Sequence, residues 1–508
     1  MSASGALIGL DIGTSGARAL AIDIDGNVVA QASREYPLSS PHPGWSEQDP
    51  EHWWSAAQAV LRQVVGELKE APLGLGLTGQ MHGAVFLDGR DRVIRPAILW
   101  NDQRTARQCE SMHDRVGRDR LIGITGNPAI TGFQAPKILW LREEEPAAYA
   151  RVARVLLPKD FVRLRLTGVA ATDASDASGT SLLDLRRRDW SAELLDAFEI
   201  PRRWLPAVHE GPELTGVITQ AAAESTGLPV GTPVAAGGGD NAAAAVGNGI
   251  VEEGLVSSSI GTSGVVFAHT DQLLIEPGGR LHTFCHALPG AYHVMGVTLS
   301  AGAALRWWRD AMGGGLDYDA MSILASEAPP GTHGLLFLPY LTGERTPHVD
   351  PFARGAFHGL RLHHSRAHLT RAVMESVTHS LKDCLDLILG LGVQAREIRA
   401  TGGGARSAFW RQMQSDMYGV VVRRTRSDEG PAFGAALLAG VAAGVFADVR
   451  EACSVIRLDA DLHTPDANVH RAYSSAHVAF RGLYAELAPD MHWIAQTDPP
   501  DHATGDNP

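Results

Sequence analysis

One short run occurs twice in this chain, roughly half the chain apart, and that repetition constrains the fold more than any other feature. Residues 7–16 read LIGLDIGTSG and residues 255–264 read LVSSSIGTSG. Each copy follows a β-prone run and precedes another, at 17–23 and 265–269, so each reads as strand, tight polar turn and returning strand. After the first copy, Asp25-Gly26 is a hairpin signal that leads into a third strand at 28–30. A chain of 508 residues exceeds what one core usually serves. The repeat therefore predicts two domains of similar build, with the boundary near 245–255: residues 1–248, then 249–485. A tail, 486–508, follows; its end, TDPPDHATGDNP, is polar and proline-rich and is expected to be disordered.

Helical and strand patterns alternate between these landmarks, which predicts α/β layers. Residues 50–70 form one helix: Asp49 can cap it, Pro50 suits its first turn, and Trp53, Ala57, Val60, Leu61, Val64 and Leu68 share a face. Ser365 opens another, with Leu369, Val373, Val377, Leu381, Leu385 and Ile388 at helical spacing. Charge narrows the partners. With 44 basic against 57 acidic residues the formal charge is −13, which argues against nucleic acid and gives no reason to expect an anionic membrane surface. No basic leader with a long apolar run opens the chain, and no apolar segment is long enough to span a bilayer. Cys109, Cys285, Cys384 and Cys453 are far apart, so a reduced, cytoplasmic protein is expected.

Several motifs do not carry the chemistry they suggest. Gly74-Leu75-Gly76-Leu77-Thr78-Gly79 matches a dinucleotide fingerprint, but its glycines alternate with leucines inside a strand pattern and no helix follows. Lys69, Lys137, Lys159 and Lys382 are the only lysines, and none follows a glycine as a Walker loop requires. His282, Cys285 and His286 have metal-ligand chemistry but no fourth partner nearby.

Other motifs point to phosphate and proton transfer. A Gly-Thr-Ser-Gly turn offers backbone N–H groups and two hydroxyls to an anion, and two such turns facing each other would grip a polyphosphate. A pair of ordinary tight hairpins is the competing reading. The first copy carries Asp11 and, on its return strand, Arg18; the second has Ser259 where the first has Asp11. In AAGGGDNAAAAVGNG (235–249), Asp240 and Asn241 fall where a helix begins. An aspartate there either caps the helix or accepts a proton from an attacking hydroxyl at the mouth of a cleft. TGGGARSAFW (401–410) lies between a strand and a helix, an arrangement that can cradle an adenosine.

Taken in order, these pieces resemble the FGGY carbohydrate kinases, nearest to the members that act on D-xylulose. The resemblance runs from about residue 6 to 445. It covers DIGTSG (11–16), PGWSEQDPEHWW (43–54), GQMHGA (79–84), ILWNDQR (98–104), LLPKDF (156–161), GGGDNAA (237–243) and SIGTSG (259–264). Beyond these it takes in FCHALPG (284–290), FLPYLTGERTPH (337–348), GAFHGL (355–360), GGGARSAFWRQM (402–413) and GPAFGAA (430–436). It implies two actin-like, ribonuclease-H-like domains closing over a central cleft that holds a small sugar and MgATP. It further implies Asp240 as catalytic base and Asp11 as the carboxylate on the magnesium side. Thr14, Ser15 and Arg18 correspond to the first phosphate loop, and Gly261 and Thr262 to the second. Met81 and His82 correspond to sugar contacts, His82 as a donor to a sugar hydroxyl, with Trp100, Asn101, Asp102 and Asn241 nearby. Gly302, Arg306, Gly403, Gly404 and Ser407 correspond to the nucleotide side. Gln134 stands where the family pattern has Thr, Ser or Pro. The activity implied is ATP-dependent phosphorylation of D-xylulose, with ribulose, ribitol or arabinitol as alternative sugars, and a homodimer is common in such kinases. A non-catalytic ATP-binding actin-like module is the rival of another class.

Overall fold

A computed structural model of the chain describes residues 5–312, 314–426 and 430–497. The repeated motif is a repeated sheet. In the first half, β1 (Leu7–Ile12), β2 (Gly16–Ile22) and β3 (Val28–Glu35) form an antiparallel meander. β4 (Gly74–Gly79) joins β1 in parallel, and β5 (Pro233–Ala235) joins β4 in parallel. The order is β3-β2-β1-β4-β5, with Leu214–Val217 at the edge. In the second half, β6 (Gly254–Ile260), β7 (Gly264–Thr270) and β9 (Tyr292–Thr298) repeat the meander, with β8 (His282–Cys285) added outside β9. β10 (Ala395–Thr401) lies parallel to β6, and β11 (Val421–Arg424) parallel to β10. Both sheets thus place a hairpin, a third antiparallel strand and two parallel strands in the same order. The echo implied two domains of similar build, and this is the ribonuclease-H-like arrangement that the family resemblance implied.

The central strands are buried on both faces because helices cover them. α1 (Pro50–Glu67) lies against β2 and β3. Asp49 caps it, its side chain accepting from the Glu51 amide at 2.9 Å, and Trp53, Ala57, Val60, Leu61 and Val64 are buried. The helix stops one residue short of Leu68, which takes an extended conformation. α2 (Asp240–Gly247) starts at the expected Asp240. Further on come α3 (Gly302–Met312), α4 (Arg366–Gly390), α5 (Ala408–Tyr418) and α6 (Gly430–Ala442). Ser365 and His368 form a reciprocal capping box at the start of α4, as the placement of Ser365 predicts.

α6 shows what the glycines of 74–79 do. Although it lies late in the chain, it packs on β1 and β4 of the first sheet and on α2. A Cβ on Gly76 would lie 1.9 Å from the Ala435 carbonyl oxygen, and one on Gly9 1.8 Å from that of Ala432. These glycines let helix backbone rest directly on strand backbone, which is a packing role and not a dinucleotide fingerprint.

The tail is the main departure from the sequence reading. Instead of disorder from residue 486, a helix, α7, spans Ala467–Thr497. Leu483, Leu487 and Met491 recur every four residues and pack with Tyr340 and Phe480. Tyr484 Oη and His492 Nε2 both bond Asp350 Oδ2, at 2.6 and 2.8 Å. The polar composition of the final residues hid this apolar stripe just before them. Of the expected tail, residues 498–508 lie outside the described residues. Among the described residues no helix is long and apolar enough to cross a membrane.

Candidate active site

The register of the first sheet brings the two proposed carboxylates together. Asp11 pairs with Thr78 of β4, and Thr78 pairs in turn with Gly238, two residues before Asp240. Both carboxylates are half-buried, and burial pushes both up: Asp11 to about 7 and Asp240 to about 6. Repulsion from Asp240 raises Asp11 further, while Arg18, directly across the hairpin, opposes the rise. Asp240 therefore loses its proton first as pH rises. Its Oδ1 accepts from the Asn241 amide at 2.6 Å and from Asn241 Nδ2 at 2.9 Å, which favours the ionised form. Its Oδ2 makes no hydrogen bond to the described residues.

Asp240 is held from behind. The Gly239 amide donates to Ser175 Oγ at 3.1 Å, and Ser175 in turn donates to Asp173. Asp173 and Asp160 share the Lys159 ammonium at 2.8 and 2.7 Å, with Asp176 at 3.3 Å, all fully buried. Arg163 completes the cluster, reaching the Ala235 carbonyl at 2.8 Å. This network anchors the strand that delivers Asp240.

The two GTSG turns close on their first glycine amide, with acceptors one residue apart. In the first, the Gly13 amide bonds the Gly16 carbonyl; in the second, the Gly261 amide bonds the Ser263 carbonyl, each at 3.0 Å. That leaves the amides of Thr14 and Ser15, and of Thr262 and Ser263, without partners among the described residues. Successive free N–H groups form an anion-binding concavity. Buried Gln48 and half-buried Tyr36 fix the first turn: Gln48 Nε2 donates to the Thr14 carbonyl at 2.7 Å, and Tyr36 Oη to the Gly13 carbonyl at 2.5 Å. Trp100 Nε1 donates to Thr14 Oγ1 at 2.9 Å. Arg18 holds Gln31 Oε1 at 2.8 Å. The second turn abuts the start of α3, where the Gly302 amide donates to the Gly261 carbonyl at 2.8 Å. The β10–α5 loop closes on the same place: at Gly402 (φ +74°) and Gly404 an added Cβ would meet Ile260 within 2.7 Å. Gly302, Gly403 and Gly404 thus gather around the second turn. Ser407 caps α5 through the Trp410 amide at 3.2 Å, and Arg306 is exposed on α3.

Beside Asp240, Met81 is buried against Gly239, and His82 takes a left-handed backbone conformation (φ 70°). His82 stacks on Phe133 with ring centroids 4.5 Å apart. Its Nδ1 lies 2.7 Å from the Gly179 carbonyl oxygen, which can only accept, so the proton sits on Nδ1. Burial holds the ring near a pKa of about 3, hence neutral. His82 Nε2 is therefore a hydrogen-bond acceptor, not the donor expected from the sequence. Asp102 is also different: it is fully buried, with Oδ2 on the Ser46 amide at 2.7 Å and both oxygens on Arg104. It shapes the loop that carries Trp100 and Asn101, and both its oxygens are taken. Gln134 is buried too, donating to the Gly83 and Leu156 carbonyls at 3.0 and 3.1 Å, so it braces the GQMHG segment from outside. His282 and His286 are engaged with Asn127 Oδ1 (2.7 Å) and the Ile250 carbonyl (3.0 Å). Among the described residues no group of three or more His, Cys, Asp or Glu is placed to hold a metal.

Sequence comparison decides the family. The N-terminal domain profile of the FGGY family of carbohydrate kinases matches residues 6–247, and its C-terminal domain profile matches 256–443. The chain belongs to the FGGY family of carbohydrate kinases. Among curated relatives of this kinase, the xylulose kinase of Escherichia coli K12 is 44% identical over 95% of the chain and 99% of its own length. That of Bacillus subtilis 168 is 37% identical over 94% and 96%. The crystal structure of a xylulose kinase from Rhodospirillum rubrum superposes with a TM-score of 0.90 at 32% identity, covering 96% of the chain and 100% of its own. A gluconate kinase from Lactobacillus acidophilus superposes as well, with a TM-score of 0.91 at 26% identity over 96% and 99%. Shape therefore defines a sugar kinase without selecting the sugar.

Sequence reasoning passed over Gln48 and Gln80, which are buried and bonded to each other at 3.0 Å beneath the first turn. Both lie inside quoted motifs, GWSEQDP and GQMHG, and a polar residue flanked by core positions was the available signal. The raised Asp11 is testable through stability. Its folded value of about 7 lies above its ordinary 3.8, so its charge destabilises the fold increasingly as pH rises through that interval and fully above it. Asp11→Asn should raise the unfolding temperature of the ligand-free kinase at pH 8, and less at pH 5, by scanning calorimetry. A lower unfolding temperature at pH 8 would sink this account.

Proposed function

We propose that this kinase transfers the γ-phosphoryl group of ATP to the 5-hydroxyl of D-xylulose. The observation that carries the chemistry is Asp240: a half-buried carboxylate at a helix start, one oxygen fixed by Asn241 and the other open, with a pKa of about 6. It is ionised at neutral pH, yet basic enough to take the hydroxyl proton as the oxygen attacks. The run of relatives named xylulose kinase, at up to 44% identity over nearly the whole chain, supports the choice of sugar.

The hydroxyl nucleophile is oriented by Asp240 Oδ2 and the sugar by the Met81–His82 wall, His82 Nε2 accepting from a sugar hydroxyl. The free amides of the two GTSG turns hold phosphate oxygens from opposite lobes, so alignment and electrostatics supply most of the acceleration. Asp11 Oδ1 is buried without a hydrogen-bond partner, which suits a cation or its water shell, and Asp11 is the residue that would hold magnesium. When bound, magnesium spreads the charge of the phosphoryl oxygens. The proposal includes a cytoplasmic enzyme, supported by four cysteines that are all free thiols, and a homodimer, which light scattering would test. A coupled ADP-release assay across D-xylulose, D-ribulose, L-ribulose, ribitol and D-arabinitol should show the highest kcat/KM for D-xylulose. Clear preference for another sugar overturns the substrate assignment.

A further inference from the structure

Among the described residues, the most deeply buried cations have protein partners. Lys159 has three carboxylates, Lys137 two carbonyls, Arg104 has Glu47 and Asp102, and Arg371 has Glu375 and Tyr473. Arg345 is half-buried, and its guanidinium makes no ion pair or hydrogen bond with the described residues. Its neighbour Glu344 does not serve: Oε2 accepts from Thr298 Oγ1 at 2.6 Å, and Oε1 from the Leu299 and Arg345 amides at 2.9 and 2.7 Å. Burial also raises Glu344 to about 7, which weakens it as a counter-ion. A guanidinium cannot shed its charge, and none of its nitrogens is sealed from solvent, so its donors stay open to a ligand that enters the site.

Its position is fixed on both sides. Glu344 is tied to the end of β9 and to the segment that leads into α3. Thr346 donates to the Arg280 carbonyl at 2.8 Å, and its amide bonds the Val297 carbonyl at 2.9 Å. Arg345 therefore sits between β9 and the entry to β8, whose His282 and Phe284 meet Phe133 and His82 of the first lobe. Its charge reaches both imidazoles and contributes to keeping them neutral.

We propose that Arg345 is the second lobe's donor to the bound sugar, hydrogen-bonding sugar oxygens across the cleft from His82. The pair is complementary: His82 Nε2 accepts from a hydroxyl, and the guanidinium fork donates to a hydroxyl or keto oxygen. Because the two residues come from opposite lobes, sugar binding would draw the lobes together. The proposal rests on the sugar-kinase reading above.

The test uses the full chain with Arg345→Met and Arg345→Lys, varying D-xylulose and ATP separately and measuring sugar binding by calorimetry. Loss of a charge-assisted pair should raise the sugar KM about 10- to 100-fold in Arg345→Met, with the KM for ATP unchanged. Arg345→Lys should fall between. The unfolding temperature of Arg345→Met should hold, because no protein partner of the guanidinium is lost; a structural role predicts a fall. An unchanged sugar KM beside normal wild-type turnover, or a shift confined to ATP, overturns the Arg345 proposal alone. A wild-type chain that neither binds nor phosphorylates any sugar of the panel overturns this proposal and the sugar-kinase reading together.

Discussion

Asp240→Asn is expected to abolish nearly all turnover while leaving a folded protein that still binds ATP. General-base catalysis contributes roughly 10²- to 10⁴-fold, and the loss should fall on kcat, since the amide keeps the shape of the site and the α2 start. Stability separates this from unfolding. A carboxyl raised from 3.8 to about 6 in the fold binds more protons folded than unfolded over that interval, so stability falls as pH climbs through it and the cost persists above. Removing the charge should therefore leave the unfolding temperature at pH 8 equal to or above that of the wild type. The wild-type pH profile carries the same signature: kcat/KM should decline below about pH 6, where Asp240 holds a proton and cannot accept another. Near-normal turnover of Asp240→Asn, or a profile flat to pH 5, would remove Asp240 from the role of base.

The paired turns and the opening residues of the helices, Asp240 among them, were legible in the sequence because each rests on local rules, while the role of Asp240 as base came only with the family resemblance. A repeated strand-turn-strand shows as a repeated string, and a helix start shows as a capping residue before a run of helix formers. What stayed hidden depends on which surfaces meet. The glycines at 74 and 76 have the spacing of a nucleotide loop, and only the descent of α6 onto β4 reveals their use. The acceptor role of His82 follows from a carbonyl at Gly179, 97 positions away. Asp102 looked like a sugar contact beside Trp100 and Asn101, yet Arg104, two residues on, claims both its oxygens. Within FLPYLTGERTPH nothing in the sequence distinguishes Arg345 from an arginine paired with the glutamate before it. Only the commitment of Glu344 to backbone amides and Thr298 leaves the guanidinium alone.

The second large effect is expected from a position without chemistry of its own. Gly434, in the middle of α6, faces α2, and a Cβ there would lie 1.8 Å from the Ala243 carbonyl oxygen. Gly247 at the end of α2 is as tight, its would-be Cβ 2.2 Å from the Gly430 carbonyl. The obvious relief is for α6 to back away, but its other side rests on β1 and β4 through Gly9 and Gly76. Backbone on both sides leaves no flexible side chain to give. Gly434→Ala should therefore cost about 3 kcal/mol, at the upper end for overpacking, read as a lower urea midpoint with an unchanged m-value. The same change at Gly66 in α1, where a Cβ meets nothing within 4 Å, should instead stabilise by roughly 0.5–1 kcal/mol through helix propensity. Because α2 opens with Asp240, any displacement that relieves the clash also moves the base. The Gly434→Ala protein that remains folded should thus show a reduced kcat, which neither Gly66→Ala nor a simple loss of folded fraction can mimic. Equal stability of the two variants would mean that the α2–α6 contact yields, and that the carboxylate is positioned by the Ser175–Asp173 network alone.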